Sequence, residues 1–126
     1  MKKSDMVCVV EDDPVVRQSL VMLIGTLGVE VRGHATGRAF LDDPASRDAS
    51  CVVLDVRMPG LSGLEVQGRM AELGMTAPVI FITGHGDVPM AVEAMRGGAV
   101  DFLQKPFDNQ TLLERVRQAI ARGRAL

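Results

Sequence analysis

The sequence predicts an α/β fold in which five parallel strands alternate with five helices that cover both faces of the sheet, giving three layers. Short continuous apolar runs recur along the chain and are typical of strands buried on both faces. Segments with apolar residues at helical spacing separate these runs. The length of 126 residues suits one domain of ordinary size, with a core over about residues 5–122 and room for a linker to start after 122.

The first half of the chain contains two predicted strands and two predicted helices. The apolar run Met6–Val10 predicts the first strand, and Pro14, which suits the first turn of a helix, follows it after an acidic segment. Apolar residues then recur at helical spacing until Gly28 ends the helix. Loose alternation over 29–35 predicts the second strand, and a short helix is expected over 37–41, before a polar stretch.

The second half continues the alternation. Apolar runs that end at polar residues or turns predict strands at 51–54, 79–82 and 99–103. Capping residues and helical spacing predict helices at 63–73, 88–95 and 112–120, and arginines near the end of the last helix suit its dipole.

Overall composition excludes several classes of protein. A net charge of −2 argues against direct nucleic-acid binding, which relies on basic surfaces. No apolar run approaches the roughly 18 residues that a membrane span needs, and the N-terminus does not resemble a signal peptide. Cys8 and Cys51 lie in apolar runs without the spacing of metal ligands, so we expect two buried free thiols and a cytoplasmic location.

Polar residues stand at the carboxyl ends of four predicted strands, where ligands bind in open parallel sheets. The first and third strands are neighbours in the flavodoxin-like order 2-1-3-4-5, which brings three carboxylates together beside a hydroxyl and an ammonium. In chain order these strand-end residues are Glu11, Asp12, Asp55, Thr83 and Lys105.

Clustered carboxylates repel one another unless a cation joins them, and Mg²⁺ prefers such oxygen ligands. A carboxylate can also accept a phosphoryl group as an aspartyl phosphate, a reaction that requires positive charge near the equatorial oxygens. Glu11 and Asp12 adjoin each other and suit metal binding, whereas Asp55 stands alone after the third strand. We therefore assign the phosphoryl group to Asp55. The metal ion supplies one positive charge near it, Lys105 supplies a second, and Thr83 donates a hydrogen bond.

These residues resemble the receiver domain of two-component response regulators, and the stretch from Thr83 to Met95 resembles the FixJ-type receivers. The resemblance covers essentially residues 5–122. The matching segments, in order, are Glu11-Asp12-Asp13, Leu54-Asp55-Val-Arg-Met-Pro59-Gly60 with Ser62-Gly63, Ile82-Thr83-Gly84, Asp101-Phe102 and Lys105-Pro106-Phe107.

The resemblance implies that Asp55 accepts phosphate from a phosphohistidine on a sensor histidine kinase. It implies Mg²⁺ binding by Asp12 and Asp55, by Glu11 through water and by the backbone carbonyl of Arg57. It also implies phosphate contacts, switch residues and a cis bond between Lys105 and Pro106. The implied phosphate contacts are Val56, Arg57, Gly84 and Lys105, and the implied switch residues are Thr83 and Phe102.

In such receivers the face of the fourth helix, fifth strand and fifth helix changes shape and dimerises or releases an output domain, which in the FixJ type binds DNA. No such domain follows the last predicted helix, so the chain reads as a stand-alone module or a piece of a longer regulator of transcription. Glu11 replaces a commoner Asp, and Arg57 and His85 occupy positions that tune the lifetime of the phosphorylated state. The resemblance implies no enzyme acting on other molecules, only phosphotransfer to the domain itself and slow dephosphorylation.

Other readings of the same residues remain open. A phosphohydrolase with an Asp nucleophile, of the haloacid-dehalogenase kind, needs a second Asp where Arg57 stands, and a flavin or nucleotide carrier needs a loop less acidic than the one at Glu11. A degenerate receiver that acts only as a protein-interaction module is a further alternative. Phe102 could instead be a core residue, although the resemblance favours the switch role, and the apolar residues Met90, Val92 and Met95 fit burial and a partner surface equally well.

Overall fold

The computed structural model describes residues 4–84 and 88–125. A parallel sheet of five strands has the order β2-β1-β3-β4-β5, and helices cover both of its faces, which confirms the predicted fold class and strand order. The strands are β1 (Met6–Val10), β2 (Glu30–His34), β3 (Cys51–Asp55), β4 (Val79–Thr83) and β5 (Asp101–Gln104). The helices are α1 (Pro14–Gly25), α2 (Gly37–Asp42), α3 (Gly63–Glu72), α4 (Val88–Arg96) and α5 (Asn109–Ala125).

Two apolar clusters, one on each face of the sheet, form the core. Alternate residues of β1 divide between them, because successive side chains of a strand point to opposite faces: Val7 and Val9 join one cluster, and Cys8 and Val10 the other. Side chains of α1 and α5 fill the first cluster, whereas side chains of α2, α3 and α4 fill the second. The sheet is therefore covered on both sides, and the central strands β1, β3 and β4 are buried along their whole length.

The structure differs from the sequence predictions at several element ends and in the polar stretch before β3. The first helix ends at Gly25, and successive tight turns lead from it to Gly28, which has a φ of 81°. The fifth strand begins at Asp101, because Ala99 N still donates to Ala94 O at the end of α4. A short 3-10 helix, Pro44–Asp48, occupies the polar stretch before β3, and α5 continues to Ala125, past the point where a linker was expected.

The two cysteines are free and buried, as predicted. Cys8 and Cys51 belong to the clusters on opposite faces of the sheet, so their side chains point away from each other. Burial raises the pKa of the Cys8 thiol to about 11 and that of Cys51 to about 12. Within the described residues, the structure contains no helix with the length and apolar character needed to cross a membrane.

Gly63, the first residue of α3, lies against the backbone of β3. A Cβ at this position would collide with the carbonyl oxygen of Asp55 and lie 2.9 Å from Val56 Cα. Gly63 N donates to Val56 O at 2.8 Å, and the capping box between Ser62 and Glu65 fixes the start of the helix. The N-terminus of α3 is thus seated directly on the strand end that carries Asp55.

We expect Gly63→Ala to lower the free energy of unfolding by about 1–3 kcal/mol, because backbone atoms must move to admit the methyl group. Gly68→Ala is the matched control, since Gly68 lies in the same helix with open space around its Cα. It should raise stability by roughly 0.5–1 kcal/mol through helix propensity. Urea denaturation measures the free energy of unfolding of both variants, and equal effects of the two substitutions would contradict the close packing at Gly63.

Candidate phosphoacceptor site

Three carboxylates meet at the carboxyl-terminal edge of the sheet. Glu11 and Asp12 follow β1, and Asp55 is the last residue of the neighbouring β3. A ligand oxygen from each of the three lies within 4.8 Å of the other two. Glu11 and Asp55 are buried while Asp12 is exposed, so the cluster opens to solvent on the side of Asp12.

The third acidic residue after β1 has a different role. Asp13 caps α1, because its Oδ1 accepts hydrogen bonds from Val15 N at 2.9 Å and Val16 N at 3.3 Å. Asp13 N donates to Glu11 Oε2 at 3.2 Å. This bond leaves the other oxygen of Glu11 to face Lys105.

Lys105 brings a positive charge into contact with the cluster. Its Nζ lies 3.2 Å from Glu11 Oε1 and 3.6 Å from Asp55 Oδ2. Its backbone N donates to Thr83 O at 2.7 Å, so the β4–β5 pairing sets its position, and the bond between Lys105 and Pro106 is cis as predicted. One ammonium therefore bridges the carboxylates that follow two different strands.

Crowding of the carboxylates is reflected in the pKa values. Burial, together with the neighbouring charge of Asp55, raises the pKa of Glu11 to about 7 from an ordinary value of 4.5. Burial alone would lower the pKa of Lys105, but the carboxylates of Asp55 and Glu11 outweigh it and hold the pKa above its usual value. The site thus carries an excess of negative charge that a single lysine only partly offsets.

Asp55 also lies beside the backbone amides of the turn that follows it. Arg57 N donates to Asp55 Oδ1 at 3.3 Å. Val56 N instead donates to Ile82 O at 3.1 Å and so extends the pairing of β3 with β4. The Arg57 amide points at the acceptor oxygen, whereas the Val56 amide would have to break this pairing to contact a phosphoryl group.

The two predicted switch residues stand on the adjacent strands. Thr83, the last residue of β4, is buried, and its Oγ1 donates to the carbonyl of Gly84 at 3.2 Å. Phe102 pairs with Phe81 across β4 and β5, is half-buried, and packs against the cluster that includes α4. The remaining predicted residue, His85, lies outside the described residues.

Sequence reasoning missed Arg17 as a neighbour of the acidic segment. Arg17 Nη1 donates to Glu11 O at 2.9 Å and approaches Asp12 O at 3.5 Å. A signal was present, because an arginine near the start of a helix is disfavoured by the helix dipole unless a nearby acceptor compensates. Only the fold shows that the acceptors are the main-chain carbonyls of the two metal-ligand candidates.

The donor set suits a hard divalent cation. All three clustered side chains offer carboxylate oxygens, with neither imidazole nor thiolate among them, which is the chemistry that Mg²⁺ requires. A buried carboxylate beside a cation and exposed amides is also suited to accepting a phosphoryl group.

Comparison with known proteins agrees with this arrangement. Residues 7–117 match the model of the response regulator receiver domain family. Nodulation protein W of Bradyrhizobium diazoefficiens is 52% identical over 118 residues, which are 94% of this chain and 52% of that protein. Transcriptional regulatory protein FixJ of Azorhizobium caulinodans is 48% identical over 123 residues, which are 98% of this chain and 58% of that protein. The chain thus spans about half the length of these relatives.

Solved structures give the same result. A crystal structure of FixJ-N matches with a TM-score of 0.86 and 40% identity over 96% of each chain. Full-length FixJ from B. japonicum matches with a TM-score of 0.87 and 44% identity over 97% of this chain and 60% of that one. The chain therefore belongs to the response regulator receiver domain family and is a receiver of the FixJ type.

Proposed function

We propose that this receiver domain is a Mg²⁺-dependent phosphoacceptor in which Asp55 takes a phosphoryl group from a phosphohistidine of a sensor histidine kinase. The observation that carries the proposal is the meeting of Asp55 with Glu11, Asp12 and Lys105 at one edge of the sheet. A carboxylate oxygen of Asp55 attacks the phosphorus atom, the bond to the imidazole nitrogen breaks, and an acyl phosphate forms.

Each neighbouring group has a proposed part in this reaction. Asp12, Asp55, Glu11 and the Arg57 carbonyl would hold Mg²⁺, which supplies positive charge for the phosphoryl oxygens. The Lys105 ammonium pairs with the phosphoryl group, and the amides of Arg57 and Gly84 donate hydrogen bonds to it. Val56 remains a proposed phosphate contact, which its amide could make only by leaving Ile82 O.

The proposed response passes from β4 and β5 to α4. The Thr83 hydroxyl leaves Gly84 O and turns toward the phosphoryl oxygen, and Phe102 follows by changing its rotamer. Val92 and Met95 are 45% and 39% exposed on α4, which supports a partner surface there rather than complete burial. A homodimer through α4, β5 and α5 is the proposed consequence of phosphorylation.

The setting of the domain is proposed from its relatives. They are about twice as long, and one is named a transcriptional regulatory protein, which supports control of a DNA-binding output region beyond the receiver. We place the single receiver domain at residues 1–126, in the cytoplasm, without direct contact to nucleic acid. Slow dephosphorylation by water, tuned by Arg57 and His85, would reset the switch.

The central experiment is phosphorylation by a small-molecule donor. Acetyl phosphate with Mg²⁺ should add one phosphoryl group to the intact protein, seen by mass spectrometry, and Asp55→Asn should abolish the addition because the nucleophile is lost. Asp108→Asn is the control, since Asp108 is exposed and its carboxylate binds Thr111 N at the start of α5. A folded protein that gains no mass would support a degenerate receiver instead.

A second experiment tests the cation site. Mg²⁺ should raise the melting temperature of the wild-type protein, because a ligand that binds the folded state stabilises it. Asp12→Ala should remove most of the shift and raise the Mg²⁺ concentration needed for phosphorylation. Circular dichroism follows the melting, and an unchanged Mg²⁺ response in Asp12→Ala would place the ion elsewhere.

A third experiment measures the cost of the buried charge at Glu11. Because its folded pKa is about 7 and its ordinary value is 4.5, ionisation of Glu11 disfavours folding progressively between these values and fully above pH 7. Glu11→Gln should therefore raise the free energy of unfolding above pH 7 without Mg²⁺, by about 1–3 kcal/mol, and the gain should vanish below pH 4.5. Denaturation series at several pH values check this, and a gain that is the same at every pH would contradict it.

A further inference from the structure

Arg17 connects α1 to the acidic segment through main-chain atoms. Its guanidinium donates to Glu11 O at 2.9 Å and lies 3.5 Å from Asp12 O, so one planar group faces two successive carbonyls of the acidic segment. On its other side, Glu11 N donates to His34 O at the end of β2. The backbone that carries two of the three carboxylates is thus held from α1 and from β2.

A glycine in β2 makes room for this side chain. A Cβ at Gly33 would lie 3.2 Å from Arg17 Cγ, 3.3 Å from Arg17 Cδ and 3.3 Å from Val21 Cγ2, tighter than ordinary van der Waals contact. The stem of Arg17 therefore runs across the face of β2 at the position that lacks a side chain. Gly33 has no positive φ, so its backbone conformation does not require glycine. The close approach of α1, with Arg17 as the nearest side chain, explains instead why a glycine stands at this position.

The position of Arg17 in α1 is itself unfavourable. It is the fourth residue of the helix, where the positive end of the helix dipole repels a cation. The hydrogen bonds to the two carbonyls and the negative charge of the acidic segment offset this cost. The arginine consequently depends on the acidic segment for its position, and the segment is held by the arginine.

We propose that Arg17 is a positioning residue of the phosphoacceptor site: it holds the backbone of Glu11 and Asp12 so that their carboxylates face Asp55 and one divalent cation. The inference rests on the proposed function, because it concerns how the same site binds Mg²⁺. Arg17 acts through main-chain carbonyls and does not touch the phosphoryl group. Arg17 should therefore affect the affinity for Mg²⁺ more than the rate of phosphorylation once Mg²⁺ is bound.

The test compares Mg²⁺ binding by Arg17→Met, which keeps the apolar stem, with binding by the wild-type protein. The protein has neither Trp nor Tyr, so titration calorimetry with Mg²⁺ alone is the direct readout. The dissociation constant should rise roughly tenfold, the smaller end of the loss seen when groups that orient metal ligands are removed. Arg117→Met, which removes an exposed arginine of α5, should leave it unchanged.

The same variants separate positioning from direct catalysis. At saturating Mg²⁺, the rate of modification by acetyl phosphate in Arg17→Met should return to the wild-type rate, because Asp55 and Lys105 are intact. An unchanged or tighter Mg²⁺ affinity in folded Arg17→Met would overturn the proposal, as would an equal loss in Arg117→Met. A rate that stays low at saturating Mg²⁺ would overturn it too, since Arg17 would then act in the reaction itself.

Gly33→Ala provides an independent test of the proposal that leaves the arginine in place. Its methyl group should displace the Arg17 stem and weaken Mg²⁺ binding, and it should weaken binding less in an Arg17→Ala background, where the stem is absent and only the Val21 contact remains. Additive effects would overturn the link between the two residues. Wild-type protein that neither binds Mg²⁺ nor is modified at Asp55 would refute the proposed function, whereas a functional wild type with unaffected variants would refute only the role of Arg17.

Discussion

Repulsion among carboxylates at one sheet edge is the constraint around which this domain is built. Glu11 and Asp55 are buried beside each other, and the pKa of Glu11 rises because burial and a neighbouring charge disfavour its ionised form. Lys105 lies within reach of both but is one cation against three acidic groups. A fold that keeps such a cluster gives up stability to do so, and a divalent cation bound there, as proposed, would restore it.

The surrounding structure supplies the rigidity that this cluster needs. Three fully buried strands end beside it, and apolar layers on both faces fix the strands in register. Backbone hydrogen bonds then place the ends: Glu11 N on His34 O, and Lys105 N on Thr83 O. Because main-chain hydrogen bonds hold the backbone at these residues, the strand ends resist moving apart to relieve the repulsion.

The sequence predicted the sheet order and the strand-end residues because the central strands are unbroken apolar runs that stop at polar groups. It placed both ends of β2 within one residue, although that strand is half-exposed at the sheet edge and its apolar pattern is weak. The contact of Arg17 with Gly33 could not be predicted, because it needs the relative placement of α1 and β2. The hydrogen bond from the Thr83 hydroxyl to the Gly84 carbonyl could not be predicted either, because composition and spacing do not indicate which acceptor a hydroxyl uses.

The seat of α3 on β3 restricts where the backbone at Asp55 can move. At Gly63 there is no space even for a methyl group between the helix and the backbone of Asp55 and Val56. The backbone at Asp55 therefore cannot shift toward α3. Thr83, at the end of the neighbouring β4, holds its hydroxyl by a local hydrogen bond that rotation can exchange. In the proposed phosphorylated state, the packed contact with α3 would stay in place while the Thr83 side chain turned, so the change would pass into β4 and the helix after it.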